Sequence, residues 1–451
     1  MGTNRITGRL GIVAIAFALI LSASTFMTPS WAAADISGQW QGILHAGKDQ
    51  RILLRIAKSG AAFRGTAYSI DEGPDPIPIG ALTVTGVTVS FTIGCCSYTA
   101  TLDAQGRRMK GALYGGASYP LDLVRADPKT GWAIPKPKPD TSPHKARFVT
   151  VEKNIKLEVL DWGGNGRPLI FLAGLGGTAH DFDKFAPRFI GKYHVYAITR
   201  RGMGASSKPE PLIANYAGEK LGNDVLTVME ALKLTRPVLA GHSIAGGELS
   251  VIANNHPEKV AGLIYLEAAY AYAFYAPGNL GPTNGNLNMD ANDLRARITR
   301  LNQTNARPQE ARRQIDEMLN TTLPQLEADL RATRKYFEQI PPPPAGAPAP
   351  PANRPINTTD AVFAGLAKTG PIKVPALAIF AIPYKSDPKA SPDVKLLERI
   401  WNEIGEQTLK RFAAGNPKAR IVRIPNAEHD IYTSNPGQVE REMQSFMDGL
   451  H

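Results

Sequence analysis

The sequence predicts two structural units: a small all-β domain, followed by an α/β domain with a mostly parallel sheet and a helical insertion. Three observations predict this arrangement. Residues 35–127 contain roughly eight short, partly alternating apolar runs separated by turn residues. A linker rich in proline and lysine occupies residues 128–147. From residue 148, near-continuous apolar strands alternate with helical segments, which is typical of a parallel sheet covered on both faces.

The first 34 residues have the layout of a secretory signal. Arg5 and Arg9 give a basic start, the stretch "LGIVAIAFALILSASTF" is apolar, and "SWAAAD" offers a small-residue cleavage site near Ala32 or Ala34. We therefore expect an exported, periplasmic or secreted protein with no stable membrane span once the signal is removed. An uncleaved anchor is the alternative, because the apolar run is near the lower limit for crossing a bilayer.

Charge and cysteine content exclude several classes of function. Removing residues 1–34, which hold two arginines and no acid, lowers the net charge of the 451-residue chain from +11 to +9. The basic residues are scattered with no block of interleaved aromatics, so a nucleic-acid partner is not expected. The adjacent Cys95 and Cys96 cannot form an ordinary disulfide with each other and have no second pair for a cysteine metal site. We expect no metal and no cofactor.

The β domain predicts no catalytic role. Its regularly spaced runs, from "SGQWQGIL" to "YPLDLVR", favour a small antiparallel barrel or sandwich. Its aromatic residues Trp40, Tyr68, Tyr98 and Tyr114 suit core packing better than the lining of a ligand cavity.

The α/β domain, residues 148–451, opens with a hairpin, "RFVTVEKN" and "IKLEVLDWG", before its parallel strands begin. The apolar strands that follow the hairpin are "PLIFLAGLG", "HVYAITRRGMGASS", "RPVLAGHS", "VAGLIYLEAA", "VPALAIFAIP" and "ARIVRIPNAEHD". A helix is predicted over about 216–233, between the second and the third of these strands. An insertion at residues 270–370 starts with "YAYAFYAP", continues with helical segments around 289–304 and 308–338, and ends in a proline tract. Because it separates two sheet strands, we expect it to cover the strand ends as a lid.

Ser243 is the candidate nucleophile. It lies in "VLAGHSIAGGELS", between an apolar strand and a helix-like run, with small residues on both sides. A serine exposed on such a sharp strand-to-helix turn needs tiny neighbours, as in the pattern G-x-S-x-G. Here Ala245 takes the place of the final glycine and Gly246 follows it.

His429 is the candidate base that activates this serine. In this strand–turn–helix arrangement the partners follow in the chain order serine, acid, histidine. That order and the local context disfavour the other seven histidines, which are His45, His144, His180, His194, His242, His256 and His451. His429, in "IPNAEHDIYTSNP", comes after the last apolar strand and before the last helix.

Two carboxylates remain open as the acid that orients the imidazole. Glu267 ends the strand "VAGLIYLE" directly after the unit that carries the serine. Asp387, in "AIPYKSDP", follows the next core strand, which is the commoner place for the acid, but its loop is long and proline-rich. We favour Glu267 because the end of a strand controls position more tightly. Its alternative role is a hydrogen bond to the hinge of the insertion.

The oxyanion that develops during acyl transfer needs backbone N–H donors. We predict that Ile244, which follows the serine, supplies one, and that Leu175, in the glycine turn "FLAGLGGTAH", supplies the other. The turn lacks the G-x-G-x-x-G spacing and the lysine of a P-loop, so nucleotide binding is not expected.

With "GHSIAG", the "AGLGG" turn, "RRGMGAS" and His429 in view, residues 148–451 resemble the α/β-hydrolase superfamily, on its serine-esterase and lactonase side. The resemblance implies that the Arg-Gly-x-Gly-x-Ser turn braces the floor of the active site. A serine nucleophile also sets the chain apart from the epoxide hydrolases and haloalkane dehalogenases of the superfamily, which use aspartate there.

The sequence thus favours an exported serine hydrolase that cleaves an ester, lactone or thioester with an apolar or aromatic acyl part. Two alternatives remain open. One is a peptidase or amidase of the same fold. The other is a catalytically silent protein that binds a ligand of the cell envelope through its β domain.

Overall fold

The structure is a computed structural model. It describes residues 34–46, 48–60, 62–74, 76–93, 96–115, 117–127, 129–136, 141–278, 285–303, 307–340, 356–386 and 388–450. Residues 1–33 of the predicted signal, the predicted proline tract at 341–355, Cys95 and Asp387 therefore lie outside the described residues.

The N-terminal unit is a closed antiparallel barrel, as the sequence predicted. Its strands follow the order β6-β5-β4-β3-β2-β1-β9-β7-β8, and β6 also pairs with β7, which closes the ring. The strands are β1 Gly38–Ala46, β2 Lys48–Ser59, β3 Ala62–Ser69, β4 Ile77–Thr85, β5 Thr88–Ile93, β6 Cys96–Leu102, β7 Arg108–Tyr114, β8 Ser118–Pro120 and β9 Leu123–Arg125.

Apolar side chains fill the interior of the barrel. Trp40 and Tyr98 are fully buried, and Tyr98 stacks on Phe91 with their ring centroids 4.6 Å apart. These aromatics therefore form core, which is the use the sequence favoured. The run "YPLDLVR" forms two short strands instead of one, because its middle leaves the ladder: the Leu121 carbonyl accepts the Tyr98 hydroxyl at 3.0 Å and the Asp122 carboxylate accepts the Gly111 N–H at 3.1 Å.

The second unit is built on an eight-stranded sheet with the order β10-β11-β13-β12-β14-β15-β16-β17. The pairs β10–β11 and β11–β13 are antiparallel, which includes the predicted opening hairpin, and the remaining pairs are parallel. The strands are β10 Lys145–Glu152, β11 Ile155–Gly163, β12 Pro168–Leu172, β13 His194–Ile198, β14 Val238–His242, β15 Gly262–Leu266, β16 Ala376–Phe380 and β17 Arg420–Arg423.

Helices cover both faces of this sheet. On one face lie α1 Gly218–Ala231, α2 Ala245–Asn255 and α7 Pro392–Gly415, and on the other α8 Ile431–Ser434 and α9 Pro436–Asp448, together with the 3-10 helices Ala179–Phe182 and Ala186–Phe189. Two further 3-10 turns are Ile213–Asn215 and Pro257–Lys259. The sequence of β12 is continuously apolar because both of its faces are buried. Leu169 and Phe171 face one core, and Ile170 and Leu172 face the other.

The insertion between β15 and β16 is helical, with α3 Gly285–Gln303, α4 Pro308–Glu317, the π-helix Met318–Thr322, α5 Leu323–Gln339 and α6 Thr358–Ala364. Asn357 caps α6 by accepting the Asp360 N–H at 2.9 Å. Met289 of α3 and Val362 of α6 pack in one apolar cluster with Ile244, so the insertion touches the start of α2.

Strand β12 lies between β13 and β14, so the connection from β12 to β13 and the connection from β13 to β14 run in opposite directions across the sheet. In open α/β sheets, ligands bind at this kind of switch point. None of the helices among the described residues is both long and apolar enough to cross a membrane.

Gly246, in the first turn of α2, provides a test of this packing. A β-carbon there would lie 2.0 Å from the Ala268 carbonyl oxygen, so Gly246→Ala forces the helix away from the end of β15. We expect the free energy of unfolding to fall by about 1–3 kcal/mol, measured by chemical denaturation. Gly191→Ala is the control, because no heavy atom lies within 4 Å of its added β-carbon. Equal stability of the two variants would contradict the packing described here.

Candidate active site

Ser243 sits on a strained turn between β14 and α2. Its φ is +51°, a left-handed conformation that is uncommon for a residue with a side chain. Its N–H donates to the Leu266 carbonyl at 3.2 Å, which ties the turn to the end of β15. Ala245 is fully buried in the core, so the missing glycine of the motif is replaced by a packed methyl group.

The structure brings His429 to this serine. The residue follows β17, and its Nε2 lies 2.9 Å from the Ser243 Oγ. For Nε2 to accept the serine proton, the ring of the neutral histidine must carry its own proton on Nδ1. The Nδ1 atom lies 3.3 Å from Oε2 of Glu267.

Glu267 supplies the carboxylate of a candidate triad formed by Ser243, His429 and Glu267. It follows β15 directly, has a φ of +48°, and its N–H donates to the Ile379 carbonyl at 2.9 Å. The residue is fully buried. Its Oε1 accepts the Ala381 N–H at 2.6 Å, and its Oε2 faces His429. Of the two predicted acids, the structure places Glu267 against the histidine, while Asp387 lies outside the described residues. The catalytic roles of all these residues stay predictions.

Two tyrosines that the sequence did not single out also contact Glu267. The Tyr270 hydroxyl lies 2.8 Å from Oε2, and the Tyr384 hydroxyl contacts the same oxygen. The hydroxyls are 2.7 Å apart and hold two protons between them, so either both donate to Glu267 or one donates through the other. Burial and the neighbouring carboxylate raise the pKa of both tyrosines well above normal, so both hydroxyls stay protonated. They therefore supply hydrogen-bond donors to the buried Glu267 side chain.

The aromatic run "YAYAFYAP" divides between the site and the core. Tyr270 contacts Glu267, and Tyr272 packs against the apolar cluster that holds Leu175 and Ile244. Phe274 instead packs edge-on against Phe412 of α7, with ring centroids 6.2 Å apart. The alternation of aromatic residues with alanine does not explain the division, because Tyr270, Tyr272 and Phe274 hold equivalent positions in it, and no pattern in the sequence alone distinguishes the two uses.

His242 supports the loop of the candidate base. Its Nε2–H donates to the backbone carbonyl of His429 at 3.0 Å. Burial, reinforced by the nearby His429, lowers the pKa of His242 to about 3. The ring is therefore neutral at neutral pH, and it adds no positive charge beside the triad.

The two predicted oxyanion donors lie next to each other. Leu175 and Ile244 belong to one apolar cluster, and their N–H groups donate to no backbone carbonyl within the part of the chain that the structure describes. A β-carbon at Gly174 would lie 3.4 Å from the Ser243 β-carbon, so the glycine turn is in direct contact with the nucleophile. This arrangement suits an oxyanion hole.

A buried arginine sets the orientation of that turn. Arg200 donates to the Ala173 carbonyl at 2.9 Å and to the Gly174 carbonyl at 3.1 Å, while its Nε contacts the carboxylate of Glu248 in α2. The C=O and N–H of a trans peptide point in opposite directions. Holding the Gly174 carbonyl therefore turns the Leu175 N–H away from Arg200. Arg200 lies in the stretch "TRRGMGASS", but no pattern in the sequence indicates that it contacts the glycine turn.

The next arginine braces a different region. Arg201 is fully buried and pairs with Asp224 of α1, with contacts of 2.7 and 2.6 Å, and with Glu152 at 3.2 Å. It holds β10, α1 and the turn after β13 together, away from the glycine turn.

A sequence model of the alpha/beta hydrolase family matches residues 169–442, which is more than half of the chain. The chain belongs to the alpha/beta hydrolase family. This match confirms the resemblance to the α/β-hydrolase superfamily, and the barrel that precedes this alpha/beta hydrolase unit lies outside the match.

Curated relatives of this alpha/beta hydrolase match over shorter stretches. A fluoroacetate dehalogenase from a Burkholderia species is 32% identical over 115 residues, 25% of this chain and 38% of its own. Lipase 3 from a Moraxella species is 28% identical over 116 residues, 26% of this chain and 36% of its own. The chain thus spans well under half the length of these relatives. Among solved structures, epoxide hydrolase A from Mycobacterium thermoresistibile covers 68% of this chain and 99% of its own, with 18% identity and a TM-score of 0.45.

Replacing the triad carboxylate tests its role. In Glu267→Gln the amide keeps the shape of the side chain but cannot stabilise an imidazolium or fix the Nδ1–H tautomer. We expect kcat for hydrolysis to fall by about 10³–10⁴-fold. Tyr384→Phe keeps the carboxylate and should lose far less. A similar loss in both variants would show that the site depends on the packing around Glu267 and not on its charge.

Arg200→Lys tests the orientation of the glycine turn. Lysine keeps the charge beside Glu248 but lacks the forked donors that reach two carbonyls and a carboxylate together. We expect kcat to fall about 10²-fold with little change in KM, the effect of losing one oxyanion donor. Arg201→Lys is the matched control and should lower thermal stability with kcat retained. Equal loss of kcat in both variants would contradict the proposed role of Arg200.

Proposed function

We propose that this protein is an exported serine hydrolase that cleaves an ester, lactone or thioester through an acyl-enzyme on Ser243. The observation that carries the proposal is the continuous chain of contacts from the Ser243 Oγ through both ring nitrogens of His429 to the buried Glu267 carboxylate, 2.9 Å and 3.3 Å long in its two steps. This arrangement is the one needed to turn a weakly nucleophilic hydroxyl into a strong nucleophile.

The chemistry follows from these positions. Ser243 Oγ attacks the carbonyl carbon as His429 Nε2 takes the hydroxyl proton, and Glu267 stabilises the imidazolium that forms. The N–H groups of Ile244 and Leu175 receive the developing oxyanion. His429 then returns the proton to the leaving group, and water, activated by the same histidine, releases the acid and restores Ser243.

Apolar side chains near the nucleophile support a substrate with an apolar or aromatic acyl part. They come from the glycine turn, α2 and the insertion, and comprise Leu175, Ile244, Tyr272, Met289, Val362, Phe363 and Leu366. A cavity of about 10 Å³ beside Ile244, Val362 and Leu366 has room for about one water molecule. We infer that the insertion acts as a lid and that α6 shifts to admit an acyl chain.

The nucleophile favours this chemistry over other reactions within the family. The presence of a dehalogenase and a lipase among the relatives indicates that family membership alone does not choose the substrate. A serine activated by a histidine is suited to acyl transfer, and it is this feature that supports an ester-type bond. Export to the periplasm or the medium is proposed from the layout of residues 1–34.

A fluorophosphonate probe tests the proposal directly. We expect stoichiometric labelling of the purified protein, with the adduct located at Ser243 by mass spectrometry. Labelling should disappear in Ser243→Ala and fall by several orders of magnitude in His429→Ala, because the serine then lacks its base. Hydrolysis of p-nitrophenyl esters of increasing acyl length should then rank the acyl groups.

Folded protein is verified in each variant by circular dichroism and by its unfolding midpoint. An adduct at another residue, or no adduct on a folded protein, would sink the proposal. Cleavage of a matched anilide at a rate equal to the ester would favour the amidase alternative.

A further inference from the structure

A second cluster of functional side chains lies beside the first 3-10 helix of the α/β unit. It consists of His144, His180 and Asp183, with Glu158 behind them. The proposed hydrolysis does not use these residues. Nitrogen and oxygen donors of this kind are ligands that divalent transition metals prefer.

The local backbone brings two of these groups to the same side. His180 and Asp183 are three residues apart on the turn of the 3-10 helix Ala179–Phe182, and the Asp183 N–H donates to the His180 carbonyl at 3.0 Å. Side chains three residues apart are eclipsed on a 3-10 helix, so both project in one direction. His144, immediately before β10, approaches from the other side with only 5% of its side chain exposed.

The donor atoms have the spacing of metal ligands. His144 Nδ1 lies 3.2 Å from Asp183 Oδ1, and His180 Nδ1 lies 3.1 Å from Asp183 Oδ2. All three donor atoms lie within 4.8 Å of one another. Ligands held about 2.0–2.2 Å from one divalent ion are roughly 3–3.5 Å apart, so only a small contraction is needed.

Glu158 lies beside the second ring nitrogen of His180, where a metal-binding histidine normally has a carboxylate or carbonyl partner. Its Oε1 lies 3.6 Å from His180 Nε2, on the opposite side of the ring from Asp183. Its Oε2 accepts the Thr199 hydroxyl at 2.7 Å, which fixes the carboxylate in place. A carboxylate behind the second nitrogen orients the ring and makes the first nitrogen a better ligand.

We propose that His144, His180 and Asp183 bind a divalent transition metal ion, with Glu158 orienting His180. Two imidazoles and one carboxylate suit zinc, and the two carboxylates provide the negative charge that balances the ion. The partly exposed side chains of His180 and Asp183, at 40% and 25%, give access from solvent. The ion ties the segment before β10 to the 3-10 helix. This site departs from the sequence expectation of no metal and does not rest on the proposed hydrolase function.

Metal uptake by the full chain is the test. The protein is stripped with EDTA, loaded with Zn²⁺, passed through gel filtration and assayed for zinc by mass spectrometry. We expect one zinc ion per chain, a higher unfolding midpoint in the loaded protein, and a visible absorption band when Co²⁺ replaces Zn²⁺. Calcium, which prefers oxygen ligands, should give none of these changes.

Variants locate the ion. His180→Gln and Asp183→Asn should abolish retained zinc, and Glu158→Gln should weaken binding by about 10–100-fold. His45→Gln is the control, because His45 and Asp49 form an exposed histidine–aspartate pair 2.7 Å apart on the barrel. No retained zinc in the intact protein, or zinc uptake unchanged in His180→Gln and Asp183→Asn, would overturn the proposal. Absence of retained zinc in the intact protein would indicate a protonated His180 held between two carboxylates.

Discussion

The charge of Glu267 has to be balanced inside the protein, and much of the active site is arranged around that need. A carboxylate without water is stable only where donors surround it. Here a backbone N–H of the segment after β16 serves one oxygen, while His429 and two tyrosines converge on the other. The four donors come from three stretches of chain, so the same buried carboxylate fixes the loop after β17, the start of the insertion and the segment after β16.

Two buried ion pairs play a comparable role on the other side of the nucleophile. Arg200 joins α2, the helix that follows Ser243, to the glycine turn, and Arg201 joins the hairpin strand β10 to α1. Neither pair is a strong source of stability in itself, because removing both charges from water offsets their attraction. They instead fix the relative orientation of the segments that they join, because a planar guanidinium group makes several contacts in fixed directions.

The sequence predicted the fold because the signals involved are local. Apolar runs set the strands, small residues around Ser243 set the sharp turn, and chain order selected His429 from eight histidines. The acid stayed open between Glu267 and Asp387, since the choice depends on which strand end faces the histidine. The contact of Tyr384 with Glu267 and the contact of Arg200 with the glycine turn could not be predicted from the sequence for the same reason. In the first case 117 residues separate the two partners, and no periodicity in the sequence indicates a contact over that distance along the chain.

The nucleophile and the carboxylate stand at the ends of adjacent strands, and their own N–H groups continue the hydrogen bonding from one strand end to the next. The distance between Ser243 and Glu267 is thus set by the spacing of neighbouring strands in the sheet and not by the insertion between β15 and β16. In the proposed hydrolase, the reacting groups and the helices that contact the substrate are consequently encoded in different parts of the gene. Substitutions in the helices between β15 and β16 can then change the substrate of that hydrolase while Ser243 and Glu267 keep their positions.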